Sequence, residues 1–529
     1  MRDFQFPGRS PVYGTEAMVA TPNPHASLVA VNVLRSGGNA VDAAVAAVAV
    51  LSVVEPHQTG IGGDCFALIS PKGDHEVIGF NGSGKAPLAA TLEWYREHQV
   101  KEILDTSAHA VTVPGSINAW QTLLEDYGTK SLDELLQPAI RCAEDGYIIH
   151  SRVAFDWAEE AGRLSNNANA ERVFLNAGKP PSAGSRHVQP QLAETLKHIG
   201  KHGSAGFYSG KVAQDIVKAL RENGGLHTLE DFETYQGNYV EPISADYRGN
   251  EVLQLPPNTQ GVIALLMLNI LQGYNLSDLG AMSAQRLHLE IEAGRLAYHE
   301  RNMHLADHSF CDEILEQLLS SGYADELREK IDPERCANFP LEEKRKRSDT
   351  VYLTVVDRDR NVISLINSLF HSFGTCIMAP ESGVLLHNRG SSFRLDPDHP
   401  NCIGPRKRPM HTIMPGMVRR NGRPVMPFGV MGGDYQPFGH VHFLTNLIDF
   451  GCDLQEALDM GRVFQDGTTL FAERGIPPEI IEQIRSMGHR QISTPAQPLG
   501  GGQAIMIDWE RGILTGASDP RMDGCALGY

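Results

Sequence analysis

The sequence predicts a mixed α/β (α+β) protein, and three features carry that prediction. Short β-branched runs closed by glycine or polar turns occur toward both ends of the chain, residues 351–356 and 362–368 forming the clearest pair. The Ala/Val-rich stretch 40–54 has the length and composition of a buried helix. Between these, the middle of the chain accumulates helical patterns and few strand signals.

In chain order, Met18-Val19-Ala20-Thr21 reads as a strand and residues 25–35 as a helix stopped by Gly37-Gly38. Asn39 then caps the helix 40–54, which ends before Pro56. Thr59-Gly60-Ile61-Gly62-Gly63-Asp64 has no following Lys-Ser/Thr pair, so it reads as a tight structural turn into the strand 65–69 and not as a phosphate loop. Helices are expected from Val113-Pro114-Gly115-Ser116 to Leu124 and over 131–145, 189–199, 209–223, 261–271 and 285–304. Later come a strand at 383–386, a polar loop at 388–392, and an apolar strand at 424–430 that runs into Met431-Gly432-Gly433-Asp434. The chain closes with helices near 439–449, 454–462 and 478–487 and a hairpin over 503–517.

Composition narrows the function. With 46 basic and 64 acidic residues the net charge is −18, which argues against general nucleic-acid affinity and means that an anionic ligand needs a local cation. The N-terminal octet has no apolar core of a signal peptide, and 40–54 is too short to span a membrane and carries Asp42. Eight scattered cysteines without a Cys-x-x-Cys pair read as reduced thiols, so a cytoplasmic protein is expected, without nucleic-acid or membrane partners. His299 and His304 are spaced five apart and His440 and His442 two apart, which points each pair in different directions on a helix. No metal and no cofactor are expected. The run Glu342-Glu343-Lys344-Arg345-Lys346-Arg347 reads as an exposed linker rather than a nucleic-acid patch.

That linker ends just before Asp349-Thr350, at the start of a strand. Alone, Thr350 is an ordinary strand threonine. If the backbone broke before it, a hydroxyl and a free α-amine would share one residue, and an amine of pKa roughly 7.7–8.0 can accept the hydroxyl proton near neutral pH. Gly432-Gly433 alone could be a plain turn or a pair of backbone donors for an oxyanion.

The assembled motifs resemble the γ-glutamyltransferase family of N-terminal-nucleophile hydrolases nearly end to end. The carriers include Gly37-Gly38-Asn39-Ala40-Val41-Asp42-Ala43-Ala44, Val54-Glu55-Pro56, Gly60-Ile61-Gly62-Gly63-Asp64, Val113-Pro114-Gly115, Asp349-Thr350, Phe373-Gly374-Thr375, Arg408-Pro409, Gly432-Gly433 and Ser518-Asp519-Pro520-Arg521. The resemblance implies a four-layer αββα sandwich made as a precursor that cuts itself at Asp349-Thr350. It implies subunits 1–349 and 350–529 forming one intertwined unit, with a dimer of that unit left open. It assigns Thr350 as nucleophile, Ser368 as the hydroxyl that assists it, and Gly432 and Gly433 as the oxyanion hole.

The substrate positions depart from the family pattern. Ser83 stands where γ-glutamyl enzymes carry a carboxylate-binding arginine, Phe370 replaces an asparagine, Ser392 falls at an amine-binding aspartate, and His411 and Thr412 replace paired serines. Arg389 takes a position that is neutral in those enzymes and could pair with a carboxylate near the nucleophile. The expected substrate is a small carboxylate-bearing amide, as in the family branch that includes oxamate amidohydrolase. A γ-glutamyl hydrolase or transferase and, in a different class, a non-catalytic binding protein are the alternatives.

Overall fold

The computed structural model describes residues 8–337 and 349–529. The charged run 342–347 and nearly all of the N-terminal octet lie outside the described residues.

Two seven-stranded sheets face each other. The first runs in the order Cys525–Gly528, Met18–Thr21, Asp349–Val356, Val362–Phe370, Asp64–Ser70, Ile78–Gly82, Asn238–Val240. The second runs Val12–Gly14, Ile513–Ser518, Gly501–Asp508, Arg423–Met431, Gly416–Arg420, Asn250–Gln254, Ile243–Tyr247. All the paired neighbours in both sheets are antiparallel.

The period-two alternation of the strands explains the layering. Val351, Leu353 and Val355 join one apolar cluster with the helices Pro24–Arg35, Ala40–Val54, Ser116–Tyr127 and Leu132–Asp145. From the same strand, Tyr352 and Val356 point the other way and meet Leu253, Met417, Ile505 and Ile507 of the second sheet. On the far side of that sheet, Phe428, Val430 and Ala504 pack against the helices Gly261–Leu271, Ala284–His304 and Gln436–Ile448. Three apolar layers therefore separate four structural layers, the αββα sandwich.

Local signals work as expected in most places. Asn39 caps Ala40–Val54 with its side chain and Asp42 returns the bond, a complete capping box, and every residue of that helix is buried. The predicted helices at 131–145, 261–271, 285–304 and 478–487 appear within two residues of the expected bounds. The segment 383–386 does not form a strand. Leu385 and Leu386 make only isolated bridges, to Met378 and Gly62, because Leu386 spends its backbone on Thr375 and Ile377 in a folded-back turn. The strands at 78–82 and 238–254 were not marked by the sequence pattern, and they complete the outer halves of both sheets. Among the described residues no helix is long and apolar enough to cross a membrane.

The Gly60–Gly63 turn abuts the strand that carries Ser368. A Cβ on Gly63 would lie 2.3 Å from the Ser368 carbonyl oxygen, a contact no side chain can take. Gly63→Ala is therefore expected to cost about 1–3 kcal/mol through overpacking, read as a lower midpoint in chemical unfolding.

Candidate active site

The strands Asp349–Val356 and Val362–Phe370 form a hairpin with one irregularity. Asp349 pairs with Phe370 and Val351 with Asn367, so Thr350 alone stands opposite both Ser368 and Leu369. A bulge of this kind bends the strand and re-aims side chains. Here it brings the Thr350 and Ser368 hydroxyls to 2.9 Å, both residues being buried. Ser368 Oγ also accepts the Phe370 N–H at 2.8 Å.

Beyond the bulge the chain turns sharply. Phe370, Phe373, Gly374 and Cys376 all have positive φ, at 77°, 56°, 54° and 61°. For a bulky residue such as Phe370 this costs on the order of 1–3 kcal/mol, a strain that surrounding structure must hold. Arg163 contributes by donating to the Ser372 and Gly374 carbonyl oxygens, both at 2.7 Å. Asn388 adds a further brace, accepting the His371 N–H at 3.0 Å.

The Phe370 ring lies under the Arg389 guanidinium, with 3.7 Å between the guanidinium carbon and the ring centroid. Arg389 is 1% exposed. Its Nη1 donates to Thr412 Oγ1 at 2.8 Å, whereas among the described residues Nε and Nη2 donate to nothing. Burial pushes the guanidinium down to about 9, with Asp64 and Asp434 acting in the opposite sense. A buried, cationic, half-engaged arginine is costly, so two idle donors in one plane invite an anion.

Gly432 and Gly433 stand at the start of a 3₁₀ turn, with φ of 119° and 56°. N–H groups at such a start have no acceptor within the turn. Gln260 ties this loop to the arginine. Its Nε2 donates to Thr412 O at 2.7 Å and to Gly433 O at 2.9 Å, while its Oε1 accepts from Arg301 Nη1 at 2.8 Å. A continuous series of contacts thus runs from Thr350 through Ser368, Phe370, Arg389, Thr412 and Gln260 to Gly433.

The other expected pocket residues are engaged with the protein itself. Ser83 Oγ accepts from Asn258 Nδ2 at 3.0 Å. Ser392 Oγ is placed to donate to the Arg389 and Met410 carbonyl oxygens, at 3.0 and 2.7 Å. His411 Nε2 bonds Asp64 Oδ2 at 3.0 Å, and burial pushes the His411 imidazole down to about 3. The sequence pattern does not mark Gln260 or Asp64 as site residues. Asp64 closes a glycine-rich motif that was visible, but Gln260 sits in an unremarkable helix entry and carried no signal.

Among the described residues, one trio could hold a metal ion: His288, Glu292 and His489, whose ligand atoms lie within 4.8 Å of one another. Those atoms already have partners. His288 Nδ1 and His489 Nε2 bond each other at 2.8 Å, and Arg295 Nη1 donates to Glu292 Oε1 at 2.6 Å. A divalent ion would have to separate the imidazoles beside a resident guanidinium, so the arrangement reads as a closed polar network. His440 and His442, two apart in sequence, meet different partners. His440 lies between Gln254 and the Val430 N–H, and His442 bonds Glu290.

The family model for γ-glutamyltranspeptidase matches residues 26–529. The chain belongs to the γ-glutamyltranspeptidase family. It is 37% identical over 525 residues to the glutathione hydrolase-like YwrD proenzyme of Bacillus subtilis, covering 98% of this chain and 99% of that one. It is 34% identical over 528 residues to the oxamate amidohydrolase proenzyme of Klebsiella pneumoniae, covering 97% and 99%. The crystal structure of a cephalosporin acylase from Bacillus halodurans superposes with a TM-score of 0.92 at 36% identity, over 100% of this chain and 99% of the other. The protein is accordingly an enzyme of the N-terminal-nucleophile hydrolase type, with the γ-glutamyltranspeptidase fold.

The depressed His411 pKa makes a stability prediction. An unfolded histidine takes up its proton below about 6.5, whereas folded His411 stays neutral down to about 3. Its contribution to stability is therefore lost as pH falls through that window. His411→Gln should show a smaller loss of unfolding free energy between pH 7 and pH 5 than the wild type.

Proposed function

We propose that the chain cuts itself between Asp349 and Thr350 and then acts as a threonine amidohydrolase on a small carboxylate-bearing amide, with oxamate the best candidate. The observation that carries this reading is Arg389: buried, stacked on Phe370 and holding two donors that no described residue uses.

In the processing step, Thr350 Oγ attacks the Asp349 carbonyl carbon and the peptide C–N bond breaks. An ester replaces the amide, and the Thr350 nitrogen becomes a free amine. Water then hydrolyses the ester, leaving a carboxylate on Asp349 and restoring the threonine hydroxyl. In turnover the α-amine takes the hydroxyl proton, Oγ attacks the substrate amide, and the Gly432 and Gly433 N–H groups face the developing oxyanion. The proton passes to the leaving nitrogen, ammonia departs, and water releases the acyl group. The Ser368 hydroxyl, 2.9 Å from the Thr350 hydroxyl, orients the nucleophile.

The substrate class follows from what the pocket has left to offer. Ser83, Ser392 and His411 are engaged within the protein, so the groups that would grip a glutamyl head are absent or occupied. Arg389, adjoining the nucleophile through Phe370 and Ser368, suits a carboxylate close to the scissile amide. The names of the relatives support both an oxamate and a glutathione reading. The pocket chemistry favours the first.

The test is ammonia release from oxamate and from L-glutamine, with cysteinylglycine release from glutathione followed alongside. Thr350→Ala should remain a single 529-residue chain and turn over none of them. Ammonia from oxamate alone is expected, and turnover of the γ-glutamyl compounds with oxamate inert would overturn the substrate assignment. Arg389→Met, which removes a charge-assisted contact worth about 1.5–3 kcal/mol, should lower kcat/KM for oxamate about ten- to a hundredfold.

A further inference from the structure

Next to His411 and His387 lies a buried carboxylate with a defined set of partners. Asp64 is 0% exposed. Its Oδ1 accepts the Gly84 N–H at 3.0 Å and the Gly115 N–H at 3.2 Å, and its Oδ2 accepts from His411 Nε2 at 3.0 Å. The neighbouring His387 Nδ1 stands 3.8 Å from the same oxygen.

The proton on each imidazole can be placed. His411 Nδ1 accepts the Ile413 N–H at 3.4 Å, so its Nε2 carries the proton given to Asp64. His387 Nε2 donates to Thr112 O at 2.8 Å, which leaves Nδ1 to accept the Arg389 N–H at 3.3 Å. Both rings are neutral, and burial holds both below the ordinary histidine range.

Arg389 is thus held at two points, its backbone by His387 and its guanidinium by Thr412, the residue after His411. Asp64 stands 3.8 Å from the first and bonds His411, the residue that precedes the second. It also supplies charge balance. Arg389 makes no ion pair among the described residues, and the other nearby carboxylate, Asp434, already has Arg301 Nη1 at 2.6 Å.

We infer that Asp64 is a specificity-determining positioning residue: through His411 and Thr412 it fixes the Arg389 guanidinium in the orientation that receives a carboxylate. The inference rests on the reading of Arg389 as the carboxylate-binding residue. A substrate with one carboxylate finds two idle donors on Arg389.

Asp64→Asn is the direct probe. The amide oxygen can still accept the Gly84 and Gly115 N–H groups, but the amide nitrogen would meet the His411 Nε2–H donor to donor. His411 must then move, and Thr412 with it.

The measurement is the ratio of kcat/KM for oxamate to that for oxamide, the neutral amide of the same shape, in self-cleaved enzyme. The wild type should prefer oxamate. Asp64→Asn is expected to lower the ratio at least tenfold, chiefly through KM for oxamate. Thr412→Val should do the same, and the double variant should be little worse than either single one, since both break one linkage. A general loss of structure would lower both substrates together and leave the ratio unmoved, which would overturn the proposal. If Asp64→Asn does not accumulate as folded protein, His411→Leu and His411→Gln read the same link: leucine should lose the preference and glutamine, which retains a donor, should keep it.

Arg389→Met separates the two claims. If it abolishes the preference while Asp64→Asn leaves it intact, Asp64 has no such role and the Arg389 reading stands. If Arg389→Met leaves the preference intact, the carboxylate reading itself falls, and this inference with it.

Discussion

The structure depends on one mismatch in strand pairing. Because Thr350 faces both Ser368 and Leu369, the returning strand is displaced by one residue at the point where the two hydroxyls meet. A regular ladder would continue the alternation undisturbed, and Phe370 would be an ordinary strand residue. Instead the Ser368 hydroxyl takes up the Phe370 N–H, the chain enters a run of left-handed residues, and the Phe370 ring is presented to Arg389. The local strain is tolerable because both strands are buried in the middle of a seven-stranded sheet, with helices on one side and a second sheet on the other.

The electrostatics of the pocket follow from the same burial. A protein of net charge −18 receives an anion only where a cation is locally fixed and water is excluded. Arg389 is a buried cation held in place by its neighbours. Its guanidinium is oriented by a ring face and one hydroxyl, and among the described residues two nitrogens remain unengaged. Of the polar groups around it, Ser83 bonds Asn258, His411 bonds Asp64, and Ser392 and Gln260 donate to backbone carbonyls. A satisfied network of this kind is rigid, so the guanidinium is held in one place.

Much of the candidate site was legible in the chain. Asp349-Thr350, Ser368, Gly432-Gly433 and Arg389 can all be picked out in the chain, and contacts join Thr350, Ser368, Arg389 and Gly433 in one connected path. Ser83 and Ser392 were expected to face a ligand, and their hydroxyls are instead bonded to Asn258 and to the Arg389 and Met410 carbonyls. A serine in sequence shows its chemistry but not its partner. Gln260 and Asp64 went unassigned for the converse reason, since their importance comes from residues more than a hundred positions away.

By itself, the sequence determined the local elements and the chemistry available. Capping residues, alternation and turn glycines depend on neighbours within a few positions, so the helix Ala40–Val54 and the hairpin beginning at Asp349 are written into contiguous residues. The tertiary structure alone decided which donors remain unengaged. That is a matter of long-range pairing: Asp64 with His411 across 347 positions, Asn258 with Ser83 across 175, and Arg389 with Thr412 through a fold-back of 23. Burial makes each pairing consequential, because a polar group shut away from water must bond to something, and among the described residues two nitrogens of Arg389 are left over by these pairings.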